Sequence, residues 1–193
     1  MSGCPACGAD ADDSICEVCG CVIAKFVSEN KSKKDLTNAI VSLRSAQLYD
    51  RNREDMLSTL HNSLSVLDIP VRLSIDTEFD LTDKEKELLS IADQLIEHCD
   101  SKGFITIQRP EIYLRMGNAF YAIGDTNKAL HYFQKISRDY PRNKDALFNK
   151  GLTLFSMGDN ERALKVLNKL LEIDPELQDA VLLKELVKQM DLG

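Results

Sequence analysis

The feature that most constrains this chain is an internal repeat in its C-terminal half. Superposing residues 110–143 on 144–177 matches Gly117 with Gly151, Gly124-Asp125 with Gly158-Asp159, Ala129-Leu130 with Ala163-Leu164, and Pro141 with Pro175, every pair 34 residues apart. The apolar pairs Tyr113/Leu147, Phe120/Leu154, Phe133/Leu167 and Ile136/Leu170 fall at the same offset. A unit of this length cannot bury its apolar face alone. Neighbouring units must stack into one continuous core, and the outer units need capping elements.

The pattern resembles the tetratricopeptide repeat family, whose period is about 34 residues. Tyr113, Met116, Gly117 and Phe120 stand where the family's first helix carries an aromatic, Leu, Gly and Tyr, and Ala129, Phe133 and Pro141 match the Ala, Phe and terminal Pro of its second helix. The second copy departs at Leu147, which replaces the aromatic, and at Lys150, which replaces the Leu before Gly151. In such helix pairs Gly117/Gly151 and Ala129/Ala163 permit close approach. Gly124 and Gly158 make the turn, Asp125 and Asp159 cap the helix after it, and Pro141 and Pro175 end the second helix.

The resemblance also implies a concave face lined by the first helices, where partners bind. Leu114, Asn118 and Tyr121 fall on it from the first unit, and Phe148, Leu152 and Phe155 from the second. The family's chaperone-tail binders place a Lys/Asn/Arg clamp for a carboxylate on this face, but here Leu114 and Phe148 occupy those places. An apolar or amphipathic segment is therefore the expected ligand. The alternative is that the chain's own cap or middle helices cover these side chains.

Around the repeats, residues 176–190 fit a capping helix, with Leu177, Val181, Leu182, Leu186 and Val187 apolar and Lys184, Glu185 and Lys188 in water. Residues 35–108 read as an all-α extension or degenerate repeats. Leu36, Ile40, Leu43 and Gln47 recur at helical spacing over about four turns, with Ala39 and Ala46 beside them. Asn52 can cap a second helix with Leu57, Leu60, Leu64 and Leu67 as its seam, and Pro70 ends that region. Residues 71–76 alternate with period two, as a short strand or an extended loop. Thr82 and Glu85 form a capping box for a helix that carries Leu88, Ile91, Ala92, Leu95, Ile96 and Cys99 on one side and ends near Gly103, which makes Cys99 an inert buried thiol. The polar stretch 28–34, with Lys31, Lys33 and Lys34, reads as a linker.

Five of the six cysteines crowd into the first 21 residues, whereas a disulfide framework would spread them over the core it staples. Cys4-Pro5-Ala6-Cys7-Gly8 and Cys16-Glu17-Val18-Cys19-Gly20 are two CxxCG knuckles. Paired thiolates two residues apart can grip one ion, and two such pairs complete a tetrahedral Cys₄ set with no open position for a catalytic water. The segment 1–27 resembles a short zinc ribbon, with Cys4, Cys7, Cys16 and Cys19 as ligands and Cys21 as a spare thiol. One structural zinc per chain is expected, although four thiolates also accept iron.

Function classes narrow accordingly. The formal net charge is −7, and residues 1–21 contain four acids and no Lys or Arg. That argues against a protein whose main task is coating nucleic acid or an anionic membrane. The start MSGCPACG lacks a signal-peptide pattern, and no apolar run is long enough for a membrane helix, so a cytoplasmic chain is expected. Phosphate-loop, dinucleotide, HExxH and GxSxG motifs are absent, and His61, His98 and His131 have no triad or ligand spacing. The expected protein is all-α, a helix-pair solenoid with two repeats and a cap over 109–193 and a zinc-bound head. It would act as a non-catalytic adaptor for another protein. The competing readings are a nucleic-acid-associated factor that uses the ribbon with Lys25, Lys31, Lys33 and Lys34, and a thiol redox protein.

Overall fold

The computed structural model of the chain describes residues 23–48, 53–73, 75, 81–101 and 110–190, and the side chains of these from residue 35 onward except 48, 53 and 54. They form eight helices and, among the described residues, no strand. The two 34-residue units are the helix pairs α4 (Pro110–Ala122) with α5 (Thr126–Asp139) and α6 (Lys144–Ser156) with α7 (Asn160–Ile173). Their repeated residues do repeated work. Asp125 Oδ1 accepts the Lys128 amide N–H at 3.0 Å and Asp159 Oδ1 accepts that of Arg162 at 3.1 Å, which satisfies a first-turn donor in each second helix. Gly124 and Gly158 sit at φ +80° and +76°, where a side chain would be strained. A Cβ on Gly117 would lie 2.4 Å from Phe133 Cε1, and one on Gly151 would lie 2.9 Å from Leu167 Cδ2, so the missing side chain sets the helix separation in each unit.

The cap is α8 (Gln178–Met190), which packs on α7. Its buried seam is Ala180, Leu183 and Val187, at i, i+3 and i+7. Val181 and Leu182, expected to face the core, are instead 43% and 56% exposed. Apolar residues surround this helix over a wide arc, and the position of α7 selects which part of the arc is covered.

Upstream, α1 (Ile23–Leu48), α2 (Arg53–Leu64) and α3 (Asp83–Ser101) pack together, with Leu43, Leu60, Leu64, Leu88, Leu95 and Cys99 fully buried between them. The Cys99 Sγ lies 3.9 Å from Met56 Sδ. The capping box forms: the Thr82 amide N–H donates to Glu85 Oε2 at 2.8 Å, and the Glu85 amide N–H returns to Thr82 Oγ1 at 3.4 Å. α1 is longer than the sequence suggests, because its backbone runs helically through 28–34, where a linker is expected. Polar residues do not end a helix. That stretch has no Gly or Pro, and Lys and Glu favour the helical state. Nor do residues 71–73 and 75 make a strand, since no other extended segment lies beside them to pair with among the described residues.

Two aspartates seven residues apart on α3 fasten this layer to the first repeat. Asp93 Oδ1 accepts the Tyr132 hydroxyl at 2.5 Å and its Oδ2 accepts Lys128 Nζ at 2.5 Å. Asp100 accepts the Tyr113 hydroxyl at 3.1 Å and pairs with Lys135. A nearly buried carboxylate such as Asp93 is tolerable only with such partners. Burial raises both tyrosines well above their ordinary pKa, and the neighbouring aspartates push in the same direction. The hydrogen bond to Asp93 likewise raises Lys128.

Candidate functional site

α4 and α6 are the first helices of the two units, and their common face holds the six residues expected to meet a partner. Leu114, Asn118, Phe148 and Leu152 are buried there, and Tyr121 and Phe155 are half-buried. Tyr121 and Phe155 lie against the same cluster as Phe148 and Leu152, and the Tyr121 hydroxyl meets Ser156 Oγ at 2.8 Å. The face is closed by the chain itself. Leu114 packs in the cluster of α1–α3 and Phe148 and Leu152 share theirs with α8, as the self-covered alternative expects, and the irregular segment that follows α2, residues 67–73 with Ile75, adds a further cover over Asn118 and Asn149.

This segment is held largely by its main chain. Arg115 Nη1 donates to the Leu67 carbonyl at 3.4 Å. The Asn118 side-chain amide donates to the carbonyls of Pro70 and, at 3.0 Å, Val71. The Asn149 amide donates to the Val71 carbonyl at 3.0 Å and to Asn118 Oδ1 at 2.8 Å, while its own Oδ1 accepts the Leu73 amide N–H at 3.0 Å. Both asparagines are fully buried, so each polar atom in this ladder needs the partner it has. Side chains contribute two further attachments. Leu73 is 1% exposed in the cluster formed by Leu147, Phe148, Leu152 and Leu167. Arg72 Nε pairs with Asp145 Oδ1 at 2.7 Å in the first turn of α6, with both side chains about one-third exposed.

Sequence reasoning found Asn118 but missed Asn149, Arg115 and Asp145. The repeat itself held a signal for two of them. Arg115 and Asn149 are equivalent positions one 34-residue period apart, both are hydrogen-bond donors on an otherwise apolar helix face, and they contact carbonyls four residues apart in the same segment. Burial also alters what substitution at the expected positions tests. A charge at Leu114 or Phe148 would enter the core and destabilise the fold, so it does not isolate an effect on binding.

The remaining candidates are dispersed or lie elsewhere. His61, His98 and His131 stand on α2, α3 and α5, and burial together with the Lys135 charge lowers the His131 pKa. Among the described residues no cluster of three or more His, Cys, Asp or Glu side chains could hold a metal. Cys4, Cys7, Cys16, Cys19 and Cys21, and so the expected zinc set, lie outside the described residues. Among the described residues no helix is long and apolar enough to cross a membrane. No curated protein matches the chain. Residues 114–177, from the second turn of α4 to the turn before α8, match the family model for the tetratricopeptide repeat, a stretch that takes in most of the two helix pairs.

Proposed function

We propose that this protein is a non-catalytic adaptor whose repeat body binds a segment of another protein and whose N-terminal knuckles hold a structural zinc ion. Tetratricopeptide repeats generally mediate protein–protein interaction, and the match covers both pairs. The observation that carries the proposal is the chemistry of the α4/α6 face, where Arg115, Asn118 and Asn149 direct donors at the carbonyls of an irregular polypeptide. A surface equipped to hold main-chain groups and to bury one aliphatic anchor suits a polypeptide ligand better than a small metabolite. For the head, the donor set supports zinc. Four thiolates in two CxxCG knuckles suit tetrahedral coordination, leave no position for a reacting water, and would supply folding energy to a segment too short for its own core.

The test is a tagged capture from the source cell's lysate, with and without nuclease, read by mass spectrometry. Defined protein partners that survive nuclease are expected. Loss of everything recovered upon nuclease treatment would refute the adaptor and favour a nucleic-acid role for the cysteine head.

A further inference from the structure

We propose that residues 67–73 with Ile75 are an exchangeable, built-in ligand of the repeat face, and that the partner bound there is an extended segment with the same chemistry, an Arg followed by a Leu anchor. The proposal rests on the adaptor reading for its claim that the competing ligand belongs to another protein. Its basis is how the segment is held. Arg115, Asn118 and Asn149 donate four hydrogen bonds to the carbonyls of Leu67, Pro70 and Val71, and Asn149 accepts a fifth from the Leu73 amide N–H; such bonds do not depend on which side chains the bound segment carries. Specificity comes from two side chains, Leu73 in its apolar cluster and Arg72 on Asp145.

The two buried asparagines distinguish this face from an ordinary helix–helix contact. A core that only had to pack α2 and α3 onto the repeats would be served better by apolar residues, since a buried amide left without a partner keeps the full cost of its desolvation. Amides bonded to each other and to an extended backbone instead keep the face selective for a polypeptide. The outer side of the segment is open. Pro70 is exposed, Val71 is 41% exposed, and the Arg72–Asp145 pair is partly exposed, so an incoming chain can begin to exchange from that side. Tethering gives the internal segment an effective concentration on the order of millimolar, so the apparent affinity of any competitor is its intrinsic affinity multiplied by the open fraction. Partner binding is therefore gated by the strength of the internal contacts.

The experiment uses the full chain and a fluorescently labelled synthetic peptide of residues 67–75, Leu-Asp-Ile-Pro-Val-Arg-Leu-Ser-Ile, with anisotropy as the readout and circular dichroism as the folding control. Weakening the internal copy should open the face to the peptide. The Leu73→Ala chain is expected to bind the peptide about tenfold or more tighter than the unaltered chain, from the loss of one buried aliphatic anchor. The Arg72→Glu chain, altered only at a partly exposed ion pair, should bind it about threefold tighter, and it decides the matter if Leu73→Ala loses helicity. A peptide carrying the Leu73→Ala change should bind neither variant. Equal affinity for the unaltered and variant chains, or no binding by a folded variant, would overturn the proposal. Because the assay needs no natural partner, the two ideas fail separately. Peptide exchange without a nuclease-resistant partner counts against the adaptor alone, and a captured partner without peptide exchange counts against the built-in ligand alone.

Discussion

Gly117 and Gly151 are equivalent in the repeat but not in their surroundings, and alanine at each should separate them. At Gly117 the new Cβ would sit 2.4, 2.7 and 2.9 Å from Cε1, Cζ and Cδ1 of Phe133. Favourable carbon contacts lie near 3.5–4.0 Å, so the methyl would be about 1 Å or more inside the edge of a ring that is itself fully buried. The ring is rigid, and the helices must part to admit the methyl. Overpacking of this kind costs about 1–3 kcal/mol, while alanine in a helix interior recovers about 1 kcal/mol over glycine. Three contacts with a rigid, buried ring put Gly117→Ala at the top of the overpacking range, so it should destabilise by about 2 kcal/mol net. At Gly151 the closest atom, at 2.9 Å, is the Leu167 Cδ2 methyl at the tip of a flexible side chain. There a small rotation relieves most of the overlap, and the net change should fall within about 0.5 kcal/mol of zero. Urea unfolding followed by far-ultraviolet circular dichroism measures both changes. A double-mutant cycle adds Phe133→Leu, which installs in the first unit the side chain used in the second. It should give a favourable coupling of about 1 kcal/mol or more with Gly117→Ala. Equal effects at the two glycines, or no coupling, would refute the idea that ring contact sets the helix separation in the first unit.

Alkaline pH should weaken the joint between α3 and the first repeat. Tyr113 and Tyr132 are raised above the ordinary value of 10.0 in the folded state, so the unfolded chain loses those protons first. Their contribution is complete below about pH 10 and falls as pH rises beyond it. Melting temperature should decline more steeply there for the unaltered chain than for Tyr132→Phe, and parallel declines would sink the assignment. On α8, Val181→Lys and Leu182→Lys should each change stability by less than about 0.5 kcal/mol, whereas Leu183→Lys should cost several times more because it buries a charge. The same urea titration checks this, and a large loss at Leu182 would contradict the buried seam. At the head, purified protein should contain one zinc per chain by elemental analysis. Cys7→Ser should lose that zinc and Cys21→Ser should retain it, with retention by Cys7→Ser disproving the ligand set.

What could be read from residues alone was whatever local chemistry repeats at fixed spacing. The helix pairs, their aspartate caps, the two left-handed glycines and the Thr82–Glu85 box were legible because each depends on a few neighbouring residues and one backbone requirement. The polar stretch 28–34 was misleading because polarity reports exposure and not backbone conformation; nothing in it breaks a helix. The proposed ligand set of the two knuckles rests on their spacing alone.

Sequence by itself therefore determined that the C-terminal half stacks as two 34-residue helix pairs and that the face of α4 and α6 is largely apolar. Tertiary structure alone decided what covers that face. Amphipathic periodicity identifies a side that must leave water but carries no information about which surface buries it. Here part of the cover is an irregular segment from a distant part of the chain, recognised through its carbonyls and amides, and a main chain looks the same at every position of the sequence. For the same reason the seam of α8 was ambiguous. Its apolar arc is wider than one contact, and only the position of α7 chooses between Leu182 and Leu183.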